Sequence, residues 1–425
     1  ATGPGRPWTP RAQRRMTSDL PLQGVRVIDL TAFWAGPCAT HALAMLGADV
    51  VKIESVQRPD GMRFAGGFRP DVERWWEYSW VFHGVNSGKR SITLDLESDT
   101  GKELFGRLVA GADVVVENFT PRVMENFGLD YATLKGFNER IIMVRMPGFG
   151  LDGPWRDRVG FAMTMEQLGG PAWLTGYADG LPTAPRGACD PLAGIHAAFL
   201  TIAACEYRRR TGRGQLVEVP MIDVVLNASA LQVITRDTSG ALLTRRGNRG
   251  HELAVQNVYA CAGVEQWIAV SVRDDDDWAA LTDVLGNPQW SNDARCATDT
   301  ARRAAEEWID DRVADTLATR PLRPTVDALI AAGVPAAPVV LPPDVIDNPA
   351  LVSRGFFETV EHPLCGPLPY PRPPIAPPVG GFIRRPAPLL GGHNAEILCG
   401  SLGLTAQELA GLEAEAVIGT RPLGL

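Results

Sequence analysis

One stretch of this chain pairs a carboxylate with a structure able to present it: Arg186-Gly187-Ala188-Cys189-Asp190-Pro191-Leu192-Ala193-Gly194-Ile195-His196. A Gly-bearing approach leads to an Asp, then a Pro, then a long apolar run. Leu192, Ile195, Phe199 and Ile202 recur at three- and four-residue steps, the helical period. Pro191 suits the first helical position, where its missing N–H would be unpaired anyway, which puts Asp190 at the N-cap. Free backbone N–H groups and the helix dipole then favour the anionic carboxylate. An ionised carboxylate at the mouth of a fold can act as a nucleophile. The same residues also read as an ordinary capped helix start. Cys189 is a second candidate nucleophile, but with no cation assigned to it, it reads as an inert buried thiol. His196 reads as a packing histidine.

Other chemistry is weaker. Gly148-Phe149-Gly150-Leu151-Asp152-Gly153 matches G-x-G-x-x-G after a strand, but Pro154-Trp155-Arg156-Asp157-Arg158 follows in place of the helix that a dinucleotide site requires. His251-Glu252 opens like HExxH, yet position 255 is Val. Histidines 41, 83, 196, 251, 362 and 393 show no ligand spacing, so no metal site is expected. There is no G-x-S-x-G elbow. Lys52, Arg58, Arg63, Lys89, Arg90, Arg122, Arg156 and Arg158 fall in or near loops, as solvated surface charges or as a phosphate cradle. The Trp75, Trp76, Trp80 cluster is either an acyl-pocket wall or core.

The elements that must position these residues alternate. Strands are expected at 24–30, 49–54, 91–96, 113–117, 141–146 and 215–219. Helices fall at 37–46, 99–110, 190–210 and 222–235. Strand–helix alternation predicts an open, mostly parallel α/β sheet covered on both faces. Arg245-Arg246-Gly247-Asn248-Arg249-Gly250 marks a loop and a change of domain. A smaller α+β unit follows, with a strand at 267–272 and helices from 277, at 302–318 and at 324–332. Residues 366–388 are Pro-rich and read as an extended strap; a last helix is expected at 406–416. At about 150 residues per domain, 425 residues allow two or three domains. A net charge of −8 argues against nucleic acid. Seven cysteines without a CxxC argue for reduced thiols and a cytoplasmic location. No apolar run approaches the ~18 residues of a membrane span. Residues 1–15 read as a disordered or non-native leader.

Taken in order, Gly24-VRVIDL-Thr31, Ala35-Gly36-Pro37, LGADVVKIE (46–54), the Gly88–Leu96 run with Leu94, ADVVVENF (112–119), PGFG (147–150), Leu174-Thr175-Gly176, Asp190-Pro191 and RTGRGQ with Val217-Glu218-Val219 resemble the family III CoA transferases, the carnitine-CoA and formyl-CoA transferase family. The resemblance covers residues 22–425. It implies that Asp190 is the catalytic aspartate. It places CoA contacts on Trp34, Ala35 and Gly36 after the first strand and on Asn118, Phe119 and Arg122 after the fourth. Leu94, Arg58 and Arg158 join them as candidate CoA-binding residues. It also implies a large domain built from both chain ends (22–221 and 351–425), linkers at 222–246 and 336–350, and a small domain at 247–335. Two such ring-like subunits would interlock as a homodimer, hiding Val224, Val225, Leu226, Val339, Val340 and Leu341.

The activity so implied is transfer of CoA from an acyl-CoA to a carboxylic acid through an aspartyl anhydride and an aspartyl-CoA thioester. CoA and acyl-CoA enter as substrates, and no permanently bound cofactor is expected. Oxyanion donors are expected at the helix start or in the 247–250 loop. Two departures matter. The Gly-rich loop of formyl-CoA transferases here reads Gly247-Asn248-Arg249-Gly250-His251-Glu252, against an oxalate-type substrate. The related α-methylacyl-CoA racemases need a histidine where this chain has Phe161, and two-base proton exchange needs a second titratable group. Racemisation would then rest on Glu166 or His196. A non-catalytic acyl-CoA-binding protein is the third reading.

Overall fold

The computed structural model describes residues 20–67, 71–250, 253–372 and 382–425. The expected leader and His251-Glu252 lie outside the described residues. Six strands form one parallel sheet: β1 Arg26–Asp29, β2 Asp49–Glu54, β3 Arg90–Thr93, β4 Val114–Glu117, β5 Ile142–Arg145 and β6 Leu216–Glu218. Their order is β3-β2-β1-β4-β5-β6. The chain winds outward from β1 to β3, then returns to lay β4 beside β1. The loops leaving β1 and β4 therefore diverge at the carboxyl edge, the place where open α/β sheets bind ligands.

Both sheet faces are covered, so the strands are apolar throughout. Alternate residues serve opposite cores. Ile28, Val51 and Val115 face one core with Phe105, Leu108 and Leu134. Val27, Val50, Val114 and Val116 face the other, with Ala35, Ala39, Leu43, Ala193 and Ala197. The helices of this part are α1 Ala35–Met45, α2 Trp80–Asn86, α3 Asp99–Ala110, α4 Pro121–Phe127, α5 Tyr131–Phe137, α6 Ala162–Leu168, α7 Pro171–Leu174, α8 Cys189–Thr211, α9 Met221–Ala228 and α10 Ala230–Ser239. Helix α2 opens at Trp80 of the tryptophan cluster.

The chain divides into two compact units. Among the described residues, one holds those up to Ala172 together with those of 184–241 and 352–425; the other holds those of 173–183 and 242–351. Helices α9 and α10 occupy most of the expected 222–246 linker. The second unit has a three-stranded antiparallel sheet, β7 Val255–Ala260, β8 Trp267–Val272 and β9 Ala336–Pro338, covered by α11 Asp275–Val284, α13 Glu306–Leu317 and α14 Leu322–Ala331. The expected 302–318 helix is broken at Ala305, separating α12 Asp299–Ala304 from α13.

The Pro-rich stretch is only partly a strap. Gly366–Pro371 is a strand, β11, paired antiparallel with β10 Phe357–His362 in a two-stranded ribbon. Prolines 367, 369 and 371 fall at every second position, which an edge strand tolerates where no N–H is needed. Residues 373–381 lie outside the described residues. No helix among the described residues is long and apolar enough to cross a membrane.

Candidate active site

The loop after β1 rests on buried charge. Asp29 accepts from Thr31 N, Thr31 Oγ1, Thr40 Oγ1 and Lys89 Nζ. Lys52 Nζ donates to the Thr31 carbonyl at 2.6 Å and pairs with Asp60 at 2.9 Å. Asp60 in turn accepts from Phe33 N at 2.8 Å. Burial alone would push the Asp29 carboxyl up, but Lys89 and Lys52 beside it hold it below its ordinary range. Asn118, from the loop after β4, clasps Ala32 in both directions at 2.8 Å. The two loops at the switch point are thus tied into one surface. Gly36 is required there: a Cβ would lie 2.4 Å from Thr31 Cβ and 2.9 Å from Asn118 Cγ.

This network corrects the phosphate-cradle reading. Lys52, Arg63 and Lys89 are fully buried, neither solvated nor open to a ligand. Arg63 pairs with Glu54 and Glu77, both at 2.7 Å. Arg90 pairs with Asp49 and Glu396. Leu94 is also corrected. Its side chain is 1% exposed in the core, and its N–H donates to the Glu54 carbonyl. Arg58 and Arg122 are exposed, as is Arg158, whose guanidinium lies 4.4 Å over the Trp155 ring. Arg156 pairs with Glu125 and Asp157. Phe119 packs on the core rim.

The turn into α8 differs from the expected cap. The helix begins at Cys189, the N-cap residue is Ala188, and Asp190 lies inside the first turn. The capping carboxylate comes from elsewhere. Glu166 on α6, 1% exposed, accepts from the backbone N–H of Arg186 (2.9 Å), Gly187 (3.1 Å), Ala188 (2.9 Å) and Cys189 (3.2 Å). Arg186 and Gly187 both have positive φ, 59° and 122°, which turns successive N–H groups toward one anion. A Cβ on Gly187 would also lie 2.9 Å from the Trp34 ring. Trp34, the N-cap residue of α1, thereby braces the turn. These N–H groups are engaged and are not oxyanion donors. In the 247–250 loop, Gly247 N donates to Gly176 and Arg249 N to Arg246.

Asp190 is half-buried, and among the described residues no group donates a hydrogen bond to its carboxylate. Burial first, and then the Glu166 charge, push its carboxyl up to about 6. The expected lowering by the helix end is absent because Glu166 already occupies that end. Burial, Asp190 and Glu166 push the adjacent Cys189 thiol up to about 12, which removes it as a nucleophile. His196 is exposed, not packed, and its Nδ1 meets the Leu192 carbonyl at 2.8 Å.

The large apolar residues of helix α8 point outward. Its buried face is small: Ala193, Gly194, Ala197, Ala198, Thr201 and Ala204. Ile195 and Phe199 point outward, 56% and 66% exposed. Sequence reasoning missed Phe33, held at φ 65°, whose ring meets the exposed Phe161 edge-on at 5.4 Å. It also missed the grouping of His83, His362 and Cys365, whose ligand-type atoms lie within 4.8 Å of one another. There Tyr370 Oη and the Glu77 carbonyl engage both nitrogens of His83, while His362 Nδ1 accepts from Leu364 and Cys365 N. No local motif signals a group drawn from opposite ends of a chain.

The sequence profile described as CoA-transferase family III matches residues 22–394. A succinyl-CoA–D-citramalate CoA-transferase of Chloroflexus aurantiacus is 34% identical, over 94% of this chain and 98% of its own. A formyl-CoA:oxalate CoA-transferase of Streptomyces avermitilis is 33% identical, over 93% and 99%. The probable CoA-transferase Rv1866 of Mycobacterium tuberculosis is 32% identical over 94% of this chain, which spans only 50% of that longer protein. In structure, a CAIB/BAIF family protein from Brucella suis aligns with TM-score 0.82 and 31% identity, covering 89% of this chain and 99% of its own. The matched span and these full-length relatives show that the chain belongs to CoA-transferase family III.

Proposed function

We propose that the protein transfers CoA from an acyl-CoA to a carboxylic acid, with Asp190 as the covalent nucleophile. The observation that supports this most is a half-buried carboxylate, free of hydrogen bonds, beside the switch-point loops. An Asp190 oxygen attacks the thioester carbonyl, the C–S bond breaks, and CoA leaves as thiolate. The thiolate attacks Asp190 Cγ in the resulting anhydride, releasing the donor acid and leaving an aspartyl-CoA thioester. The acceptor carboxylate attacks the same Cγ and expels the thiolate. The thiolate then takes the acceptor's acyl carbon and returns Asp190 as carboxylate. Each step exchanges one activated acyl bond for another, so no single barrier carries the whole exchange. CoA would lie along the loops after β1 and β4, with the partly exposed Trp34 and Asn118 and the exposed Arg122 as contacts, Ala35 and Gly36 buried beneath them, and Arg58 and Arg158 as candidate phosphate contacts. The Phe33–Phe161 pair supports an apolar substituent on one substrate.

Racemisation is disfavoured. Phe161 cannot carry a proton, Glu166 is held by four N–H bonds, and His196 lies six residues along α8 on an exposed position. We also propose the interlocked homodimer. Val224 and Val225 prove buried within their own unit. Ile195, Phe199, Leu226, Leu231 and Ile234 stay exposed on α8, α9 and α10, apolar side chains that a partner subunit would bury. An obligate interface above ~2,000 Å² is expected; a folded monomer at nanomolar concentration by light scattering would refute it.

The central test is Asp190→Asn. Turnover should fall by roughly 10³-fold or more, and hydroxylamine should derivatise Asp190 in the wild type only after acyl-CoA is added. Retention of activity within about tenfold would sink the assignment. Because the ionised form is the nucleophile, kcat/KM should fall as pH drops through about 6.

A further inference from the structure

We propose that Glu166 is a positioning residue for Asp190: it draws off the backbone N–H groups of residues 186–189 that would otherwise damp the nucleophile, and its four bonds fix the turn that aims it. The inference rests on the reading of Asp190 as nucleophile. A carboxylate in the first turn of a helix ordinarily collects N–H bonds and the positive dipole end, which stabilise the anion and make it less reactive. Here those donors all converge on Glu166 at 2.9–3.2 Å. Asp190 keeps none of them and sits close to a second negative charge, with Cys189 and burial around it. The titratable group facing it from α1 is Cys38, whose thiol burial pushes up, and Asp190 raises it further. Arg186, at φ 59°, holds a left-handed conformation disfavoured for a non-glycine residue, while Gly187, at φ 122°, takes one that glycine accepts. Glu166 ties this turn from α6, the helix that Phe161 precedes.

The roles of the two carboxylates are therefore divided. One is buried and saturated with hydrogen bonds; the other is half-open and bare. The division gives a nucleophile that is anionic near neutral pH yet more basic than an ordinary aspartate.

The test is Glu166→Gln, which keeps the shape and most of the N–H acceptance but removes the charge. With the charge gone the Asp190 carboxyl should fall, so the acid limb of kcat/KM should move to lower pH by roughly one unit, with kcat at neutral pH reduced. Glu166→Asp keeps the charge but not the reach; its acid limb should stay nearer the wild type while kcat drops. A merely structural Glu166 would lower thermal stability without moving the limb. An unmoved limb in a folded Glu166→Gln protein overturns the proposal. The underlying assignment fails separately, by an active Asp190→Asn or by hydroxylamine labelling elsewhere. Should Glu166→Gln not fold, carbodiimide labelling of Asp190 against pH in folded Glu166→Asp, compared with wild type, decides it: an unchanged midpoint with lost turnover supports the division, and an unchanged turnover refutes it.

Discussion

Gly194→Ala tests how tightly α8, the helix that carries the proposed nucleophile Asp190, is seated. A Cβ at 194 would lie 2.8 Å from Cys38 Cβ, 2.9 Å from the Ala35 carbonyl oxygen and 3.1 Å from Ala39 N. Two of these atoms are α1 backbone and the third is a Cβ, so none can swing aside. Reaching ordinary contact at 3.4 Å from the nearest atom, at 2.8 Å, requires α8 to retreat by about 0.6 Å. Two terms oppose each other. Alanine gains ~1 kcal/mol of helix propensity over glycine, and overpacking costs ~1–3 kcal/mol. The balance is a loss of about 1 kcal/mol, read by urea denaturation. Gly411→Ala is the internal control, since its Cβ meets nothing within 4 Å in the C-terminal helix Ala406–Ala414; that variant should gain up to ~1 kcal/mol. Asp190 lies about one turn before Gly194, so the retreat displaces it. A ~1 Å misplacement costs about 10²-fold, and about 0.6 Å predicts a kcat loss of about tenfold. A Gly194→Ala protein as stable as the control variant, with unchanged kcat, would refute the close seating.

Two further outcomes follow from buried charge. His41 is buried, and burial together with Lys89 lowers its imidazole to about 4, while its Nδ1 meets the Ser87 carbonyl at 3.0 Å. The unfolded chain protonates it near 6.5, so the unfolded state binds the proton first; stability falls as pH drops from about 6.5 to about 4, by ~3 kcal/mol. His41→Gln should flatten part of that fall in urea titrations, and an identical pH dependence would contradict it. Lys89→Met strips Asp29 of the cation 3.0 Å away and empties the hub that also joins Pro37, Thr40 and Asn86. A loss of ~3–5 kcal/mol is expected, and a change below ~1 kcal/mol by denaturation would show that the hub carries little.

The sheet was legible because its signals are local. Alternating Val and Ile runs separated by helical stretches are enough for the order of strands and helices, and Gly212, at φ 75°, ends α8 where a C-terminal glycine predicts. The switch-point loops were legible through their residue types. What stayed hidden is long-range pairing of charge. Lys52, Arg63 and Lys89 look in sequence like any surface cations, and only the fold brings Asp60, Glu54, Glu77 and Asp29 against them. The cap of α8 was hidden for the same reason. An Asp-Pro pair satisfies the local rule for a helix start, but a carboxylate more than twenty residues upstream reaches the N–H groups first.

The direction of α8 carries the largest lesson about association. Periodicity fixes that Leu192, Ile195, Phe199 and Ile202 share a face, but not which way that face points. Packing decided it. Gly194 sits against Ala35, Cys38 and Ala39, with distances that leave no room for a larger side chain. Close approach of two helices through small residues lets α8 press its first turn, and Asp190, onto the β1 loop. The large apolar residues are then left outward by geometry, not by accident. Ile195, Phe199, Leu231 and Ile234 are 56%, 66%, 68% and 56% exposed, apolar area whose burial against a partner would be favourable. Tight seating of Asp190 and the outward placement of these apolar side chains are therefore two consequences of one packing choice, and the proposed partner would cover the second. Substitutions that shrink the outward face, such as Phe199→Ser, should weaken assembly while leaving the inward face of small residues, and hence the seat of Asp190, intact.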